Sequence, residues 1–261
     1  AVLGFIILYS IIDNPYGKND IFLSFIFSVA RLICCFIFAF FIIYFLIILN
    51  FASKEKISIS YLSPITNFLK RYGKFAFFIL LLISLYRIAD VVMGVMANIF
   101  YLEKGYKISE IATFSKFFGV FATIVGGFIG GYCSYKFGTM KALFFGALVA
   151  ALSNLLFAWL AISPTSINFL IAVITADNIS SGFAGAAFVI YLSGLTSIKF
   201  TATQYALFSS IMLFLPKLIA GYAGSWVDIM GYAYFFSFTA FLGIPVLILI
   251  IWIGKVAPIK N

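Results

Sequence analysis

Histidine is missing from all 261 residues. Its absence removes imidazole as a general base, as the partner of a nucleophile and as a metal ligand, which argues against most membrane hydrolases and metalloenzymes. Charge is scarce too, at 10% of residues against roughly 25% in ordinary soluble domains. With 64% apolar residues and a mean hydropathy of +1.17, a water-soluble globule is excluded, and the composition is that of a polytopic membrane protein. Only three cysteines occur, Cys34, Cys35 and Cys133. They lie in apolar stretches without ligand spacing, so we expect buried thiols, and neither a metal nor any other cofactor.

Long apolar runs are what the sequence does have. We place spans at about 1–12, 21–49, 75–99, 112–133, 142–162, 167–193, 204–222 and 233–253, several of them near the ~20 residues a bilayer requires. The expected fold class is therefore all-α, a polytopic membrane helical bundle. The net charge of +9 is explained by where the charges fall. One set of alternate loops holds Lys54, Lys56, Lys70, Arg71, Lys74, Lys136, Lys141, Lys199, Lys255 and Lys260, and the other holds Lys18, Lys104 and Lys107. Ten against three orients the chain by the positive-inside rule, with 50–74 and the C-terminus cytoplasmic and 13–20 outside. The basic balance reports topology, and no nucleic-acid partner is expected.

The first apolar run ends at Asp13, too short to span, and the chain opens on Ala1. We therefore expect a truncated first span, a second span to residue 49, a cytoplasmic linker at 50–74 and a six-helix transmembrane bundle at 75–261. In the linker, Ser63-Pro64 has the form of a helix start, with Ser63 as N-cap. Ile65, Phe68, Leu69 and Tyr72 then share a face beside Lys70, Arg71 and Lys74, which predicts an amphipathic helix on the inner leaflet, held by lipid.

Polar residues inside spans carry the functional expectation, because an ionisable group at membrane depth is expensive. Arg31 in the second span is read as a snorkelling anchor, with a functional cation as the alternative. In the third span Arg87, Asp90, Gly94, Asn98 and Tyr101 form one stripe, with an Arg87–Asp90 pair at i,i+3 as the alternative reading. In the fourth, Ser109 is read as N-cap, and Lys116, Gly119, Thr123 and Gly127 align on one side. Overlapping Gly126-x-x-x-Gly130 and Gly127-x-x-x-Gly131 suit close helix contact. Asp177, Asn178, Ser181, Gly182 and Gly185 follow in the sixth, Thr201-x-x-Gln204 has the spacing of a capping box, and Lys217 faces other helices in the seventh. Arg87, Asp90, Asn98, Lys116, Asp177, Asn178, Gln204 and Lys217 are the candidates for a substrate and proton pathway. Each acid could instead be locked in an ion pair with Lys116, Arg87 or Lys217.

Five stretches carry a family resemblance. Gly131-Tyr-Cys-Ser-Tyr-Lys-Phe-Gly-Thr-Met-Lys141 resembles the cytoplasmic signature loop of the major facilitator superfamily, with Tyr135 standing where that loop has an acid. Tyr86-Arg-Ile-Ala-Asp90, Phe114 to Gly127, Ala176-Asp-Asn-Ile-Ser-Ser-Gly-Phe-Ala-Gly185 and Phe200 to Ser210 together resemble AmpG-type muropeptide permeases over roughly residues 60–255. The resemblance implies the major facilitator fold, here its C-terminal six-helix half plus about two preceding spans. It also implies proton-coupled import of anionic anhydro-muropeptides across the bacterial inner membrane, with most of the N-terminal bundle missing from this stretch, and no enzymatic activity. An acetyl-coenzyme A-type carrier, a decayed fragment without transport, a subunit pairing with a separate bundle and a membrane-embedded acyltransferase are the alternatives.

Overall fold

The computed structural model describes residues 1–16, 20–49, 51, 53, 55 and 58–256, so Lys18, Lys54, Lys56 and Lys260 lie outside the described residues. Helices account for the described secondary structure, and seven are long and apolar enough to cross a membrane. The protein is an all-α polytopic membrane bundle. It divides into two compact units, Ala1–Asn67 and Phe68–Asn261.

In the first unit, α1 (Val2–Ile11) packs against α2 (Ile21–Ile48). Asp20 caps α2 through its side chain, which accepts from the Leu23 amide at 3.0 Å. Arg31 does not simply reach for the interface. Its guanidinium stacks over the Tyr9 ring at 3.9 Å and donates to the Ile12 carbonyl, which occupies an orphan acceptor at the end of α1. Of the three cysteines, Cys35 is buried, Cys133 is half-buried and Cys34 is exposed on the apolar surface, so burial holds for one thiol and fails for Cys34.

The helix α3 (Ser63–Tyr72) differs from expectation at its start. A π-helical turn, Ser58–Leu62, leads directly into it, so Ser63 lies inside continuous helix and does not cap it. Its end is set by Gly73, whose φ of +52° is open to glycine and costly for other residues. Beyond that turn come α4 (Ala76–Leu85) and α5 (Ile88–Glu103), then α6 (Ile108–Phe137), α7 (Thr139–Ile162) and α8 (Ile167–Leu195). The bundle ends with α9 (Thr201–Ala220), α10 (Ala223–Phe241) and α11 (Gly243–Val256). The segment 223–230, expected as loop, is helical and is set off from the rest of α10 by Gly231 at φ 75°. Glycine at that positive φ lets the chain turn before re-entering the apolar layer.

Two local starts also differ from the sequence reading. Lys107, not Ser109, sits at the N-cap of α6, and its amide donates to Glu110 Oε2 at 3.0 Å. At α9 the spacing Thr201-x-x-Gln204 does not close a capping box. Thr201 Oγ1 donates to the Ser197 carbonyl at 2.9 Å, and Gln204 Oε1 accepts from the Ser197 amide at 2.7 Å. Both side chains therefore fasten the preceding turn instead of the helix's own first amides, because a 3-10 turn at Ile198–Phe200 brings Ser197 beneath them.

Hydrocarbon outside and apolar side chains inside leave little solvent-driven force between helices, so close packing must hold the bundle. The α6–α8 contact shows how. A Cβ on Gly126 would overlap the Ile179 carbonyl, one on Gly130 the Phe183 carbonyl, and one on Gly182 the Thr123 carbonyl. Elsewhere aromatic rings fill the core. Phe100 meets Phe236 at 5.0 Å, Phe157 meets Phe236 at 5.3 Å, and Tyr86 stacks on Phe188 at 4.4 Å.

Candidate functional site

The third span is broken where its charge lies. Arg87 adopts φ −98°, ψ 11°, outside the helical range, so α4 ends and α5 begins around it. Asp90 thereby falls in the first turn of α5, where the helix dipole favours negative charge. Arg87 Nε stands 3.2 Å from Asp90 Oδ2, and Arg87 Nη2 donates across to Ser181 Oγ on α8 at 3.2 Å. Gly185, one turn beyond Ser181, lies beside this guanidinium, and a Cβ there would sit in ordinary contact with it, 3.7 Å from Nη1.

Asp177 lies on the same helix one turn before Ser181. It makes no ion pair among the described residues, although it is within electrostatic reach of both Arg87 and Asp90. Its Oδ1 is 3.3 Å from Ser153 Oγ of α7, which also lies 2.9 Å from the Ala150 carbonyl. Ser180 Oγ donates to the Asp177 carbonyl at 2.8 Å and lies 3.2 Å from Ser153 Oγ. Two carboxylates thus share the neighbourhood of one guanidinium. With both acids ionised the cluster carries one uncompensated negative charge in a region that penalises it.

Of the eight sequence candidates, Arg87, Asp90 and Asp177 are brought together. Asn178 is turned away toward α6. Its Nδ2 donates to the Ile174 carbonyl at 2.8 Å, its Oδ1 accepts from Thr123 Oγ1 at 3.0 Å, and it rests against Gly119. Gln204 is buried in the α8–α9 turn, apart from the acids. Asn98, Lys116 and Lys217 are exposed and make no ion pair or side-chain hydrogen bond among the described residues. Lys116 lies within a π-helical stretch, Ala112–Phe118, immediately before the Gly119 contact. Tyr101, expected on the same stripe as Asn98, is instead buried against Phe157 at 5.9 Å.

The sequence reading passed over α7. Ser153 supplies the hydroxyl beside Asp177, and the adjacent Asn154 is fully buried, its Nδ2 3.3 Å from both the Ala89 carbonyl and Thr239 Oγ1. A polar dipeptide in the middle of an apolar span was the available signal.

No family model matches this chain. Comparison with curated proteins nevertheless finds relatives. "Putative transporter AmpG 4" of Rickettsia felis is 33% identical over 97% of this chain and 60% of its own length. The protein of the same name in Rickettsia conorii is 36% identical over 77% of this chain and 50% of its own. "Putative transporter AmpG 1" of Rickettsia bellii is 36% identical over 72% of this chain and 46% of its own. The chain is a homologue of the AmpG-type transporters. It spans about half of the length of these relatives, and the span that aligns includes the broken third helix and the acid-bearing α8 in the longest match. Transporter homology and a membrane helical bundle place it outside the enzymes.

Proposed function

We propose that this chain is part of an AmpG-type importer of anionic anhydro-muropeptides, the products of peptidoglycan turnover, working in the bacterial inner membrane with its C-terminus in the cytoplasm and driven by protons. One observation carries the coupling. Asp177 lies at mid-span without an ion pair among the described residues, its carboxyl beside the Ser153 hydroxyl and close to an Arg87–Asp90 pair already neutral in itself. Such a carboxyl gains or loses a proton at a cost set by what stands around it, which is the property a proton-linked transporter needs.

Residues 75–261 act in this reading as one helical bundle, and 50–74 as the cytoplasmic linker before it. A second bundle faces the polar side of α5 and α8, since alternating access rocks two bundles about a site between them. The broken helix at Arg87 fits that role, because irregular backbone at membrane depth is tolerated where it lines a cavity. The lipid bilayer, the glycopeptide and the proton are the partners, without nucleic acid.

Uptake of labelled anhydro-muropeptide into proteoliposomes bearing a longer chain that contains this one tests the reading. Asp177→Asn should abolish accumulation against a gradient while sparing exchange of labelled for unlabelled substrate. Undiminished accumulation would remove Asp177 from coupling.

A further inference from the structure

A groove of about 640 Å³ runs along one side of the bundle, bounded by α6, α7 and α8. It exists because α6 and α7 are joined by a tight turn at Gly138, φ 88°, and each makes its main contact with α8 instead of with the other. Ile129 of α6 forms one wall, Val149 and Leu152 of α7 the other, and Ile179 of α8 lies along the bottom. Ser153 and Ser180 also line it; the first hydroxyl lies beside the Asp177 carboxyl and the second donates to the Asp177 backbone carbonyl.

We propose that this groove holds a phospholipid acyl chain, seated over the hydroxyls that contact Asp177. All three helices cross the membrane, and the lining residues come from the middle of α7 and α8. The medium at that depth is hydrocarbon. Water is a poor occupant, because an ordered water needs two to four polar partners, and both hydroxyls already have internal ones: Ser153 lies 2.9 Å from the Ala150 carbonyl, and Ser180 donates to the Asp177 carbonyl at 2.8 Å. An acyl chain covering them strands no donor. The chain is slim and flexible, and it makes the dispersion contacts that the walls of an empty groove would lack.

A second helical bundle is the rival occupant, and the angular position of the groove argues against it. At 100° per residue, the mean direction of Ile179 and Ser180 lies roughly 170° around α8 from that of Ser181 and Gly185, beside which Arg87 sits. The polar face and the groove are therefore on opposite sides of the same helix. Whatever covers the polar face leaves the groove to lipid. The consequence for the acid is physical: a chain in the groove seals Asp177 from that side, so that it exchanges with water only from the polar face.

Fluorescence quenching tests the proposal. Trp159, Trp226 and Trp252 are the only tryptophans and can be replaced by Phe, after which Leu156→Trp places a single reporter inside the groove. In phosphatidylcholine vesicles brominated at mid-chain, this reporter should lose most of its fluorescence, and water-soluble acrylamide should leave it unchanged. If Leu156→Trp fails to fold, Leu152→Trp on the rim reads the same groove. Quenching by acrylamide would show a wet groove, and quenching by neither reagent would show protein covering it; either result overturns the proposal. The measurement needs no substrate, so it stands apart from the transport reading.

Discussion

Arg87 Nε stands 3.2 Å from Asp90 Oδ2 while Nη2 of the same guanidinium holds Ser181, so one cation both neutralises an acid of α5 and ties that helix to α8. Its removal leaves Asp90 without a partner at membrane depth. Breaking a buried pair from one side costs about 3–5 kcal/mol, whereas removing both charges costs much less. Arg87→Gln should therefore lower the thermal unfolding temperature in detergent strongly, and Arg87→Gln with Asp90→Asn should recover most of the loss. A double variant as unstable as the single one would mean that the bond to Ser181, not the ion pair, is what matters.

The two overlapping glycine motifs make a sharper contrast. Gly126 and Gly130 face α8 so closely that any Cβ meets backbone, while a Cβ on Gly131 meets nothing within 4 Å. Overpacking a close contact typically costs 1–3 kcal/mol. Gly126→Ala should destabilise by about that much, and Gly131→Ala should leave the melting temperature where it is. Equal effects would show that helix propensity and not contact governs these positions.

The linker helix offers a topological prediction. Phe68 is buried against Phe208 at 5.1 Å, Arg71 Nη1 lies 3.3 Å from the Thr196 carbonyl, and Lys70 points out beside them. If the positive-inside count is right, this end of the bundle is cytoplasmic. In a background with Cys34, Cys35 and Cys133 replaced, Lys70→Cys should resist an impermeant thiol reagent in intact cells and react once the membrane is opened. Reaction in intact cells reverses the orientation.

The spans could be read from the sequence because each is a long apolar run, and a bilayer imposes its thickness on any such run. Asp177, Asp90 and Arg87 could be found because charge stands out against hydrocarbon, and the glycines because their spacing repeats. Direction around a helix was harder. Asn178 and Asp177 are neighbours in sequence, yet one packs toward Thr123 on α6 and the other toward Ser153 on α7. Only the angle of α8 against its neighbours decides which serves packing. Thr201 and Gln204 have capping-box spacing, but the 3-10 turn before them redirects both side chains to Ser197, and no local pattern announces that turn. Ser153 and Asn154 were overlooked because neutral polar side chains raise no alarm in an apolar span, although a buried amide needs partners as surely as a charge does.

The exposed cations lead to a prediction about the cargo. Arg31, Arg87, Lys116 and Lys217 fall within the expected spans, against Asp90 and Asp177. The structure removes Arg31 from that account, since it is held by Tyr9 and the Ile12 carbonyl, and pairs Arg87 with Asp90. Lys116 and Lys217 are then left exposed and without an acid among the described residues. Unpaired ammonium groups at membrane depth need a counter-charge, either from an acid on a facing bundle or from the ligand. A muropeptide brings carboxylates. In a reconstituted longer chain containing this one, Lys116→Gln and Lys217→Gln should each weaken binding of the carboxylate-bearing substrate far more than that of its neutral amide. A charge-assisted hydrogen bond is worth about 1.5–3 kcal/mol, which corresponds to a loss of roughly ten- to a hundredfold in affinity for the acid. Equal losses for both ligands would show that the lysines serve the fold or a neighbouring helix and do not read the substrate's charge.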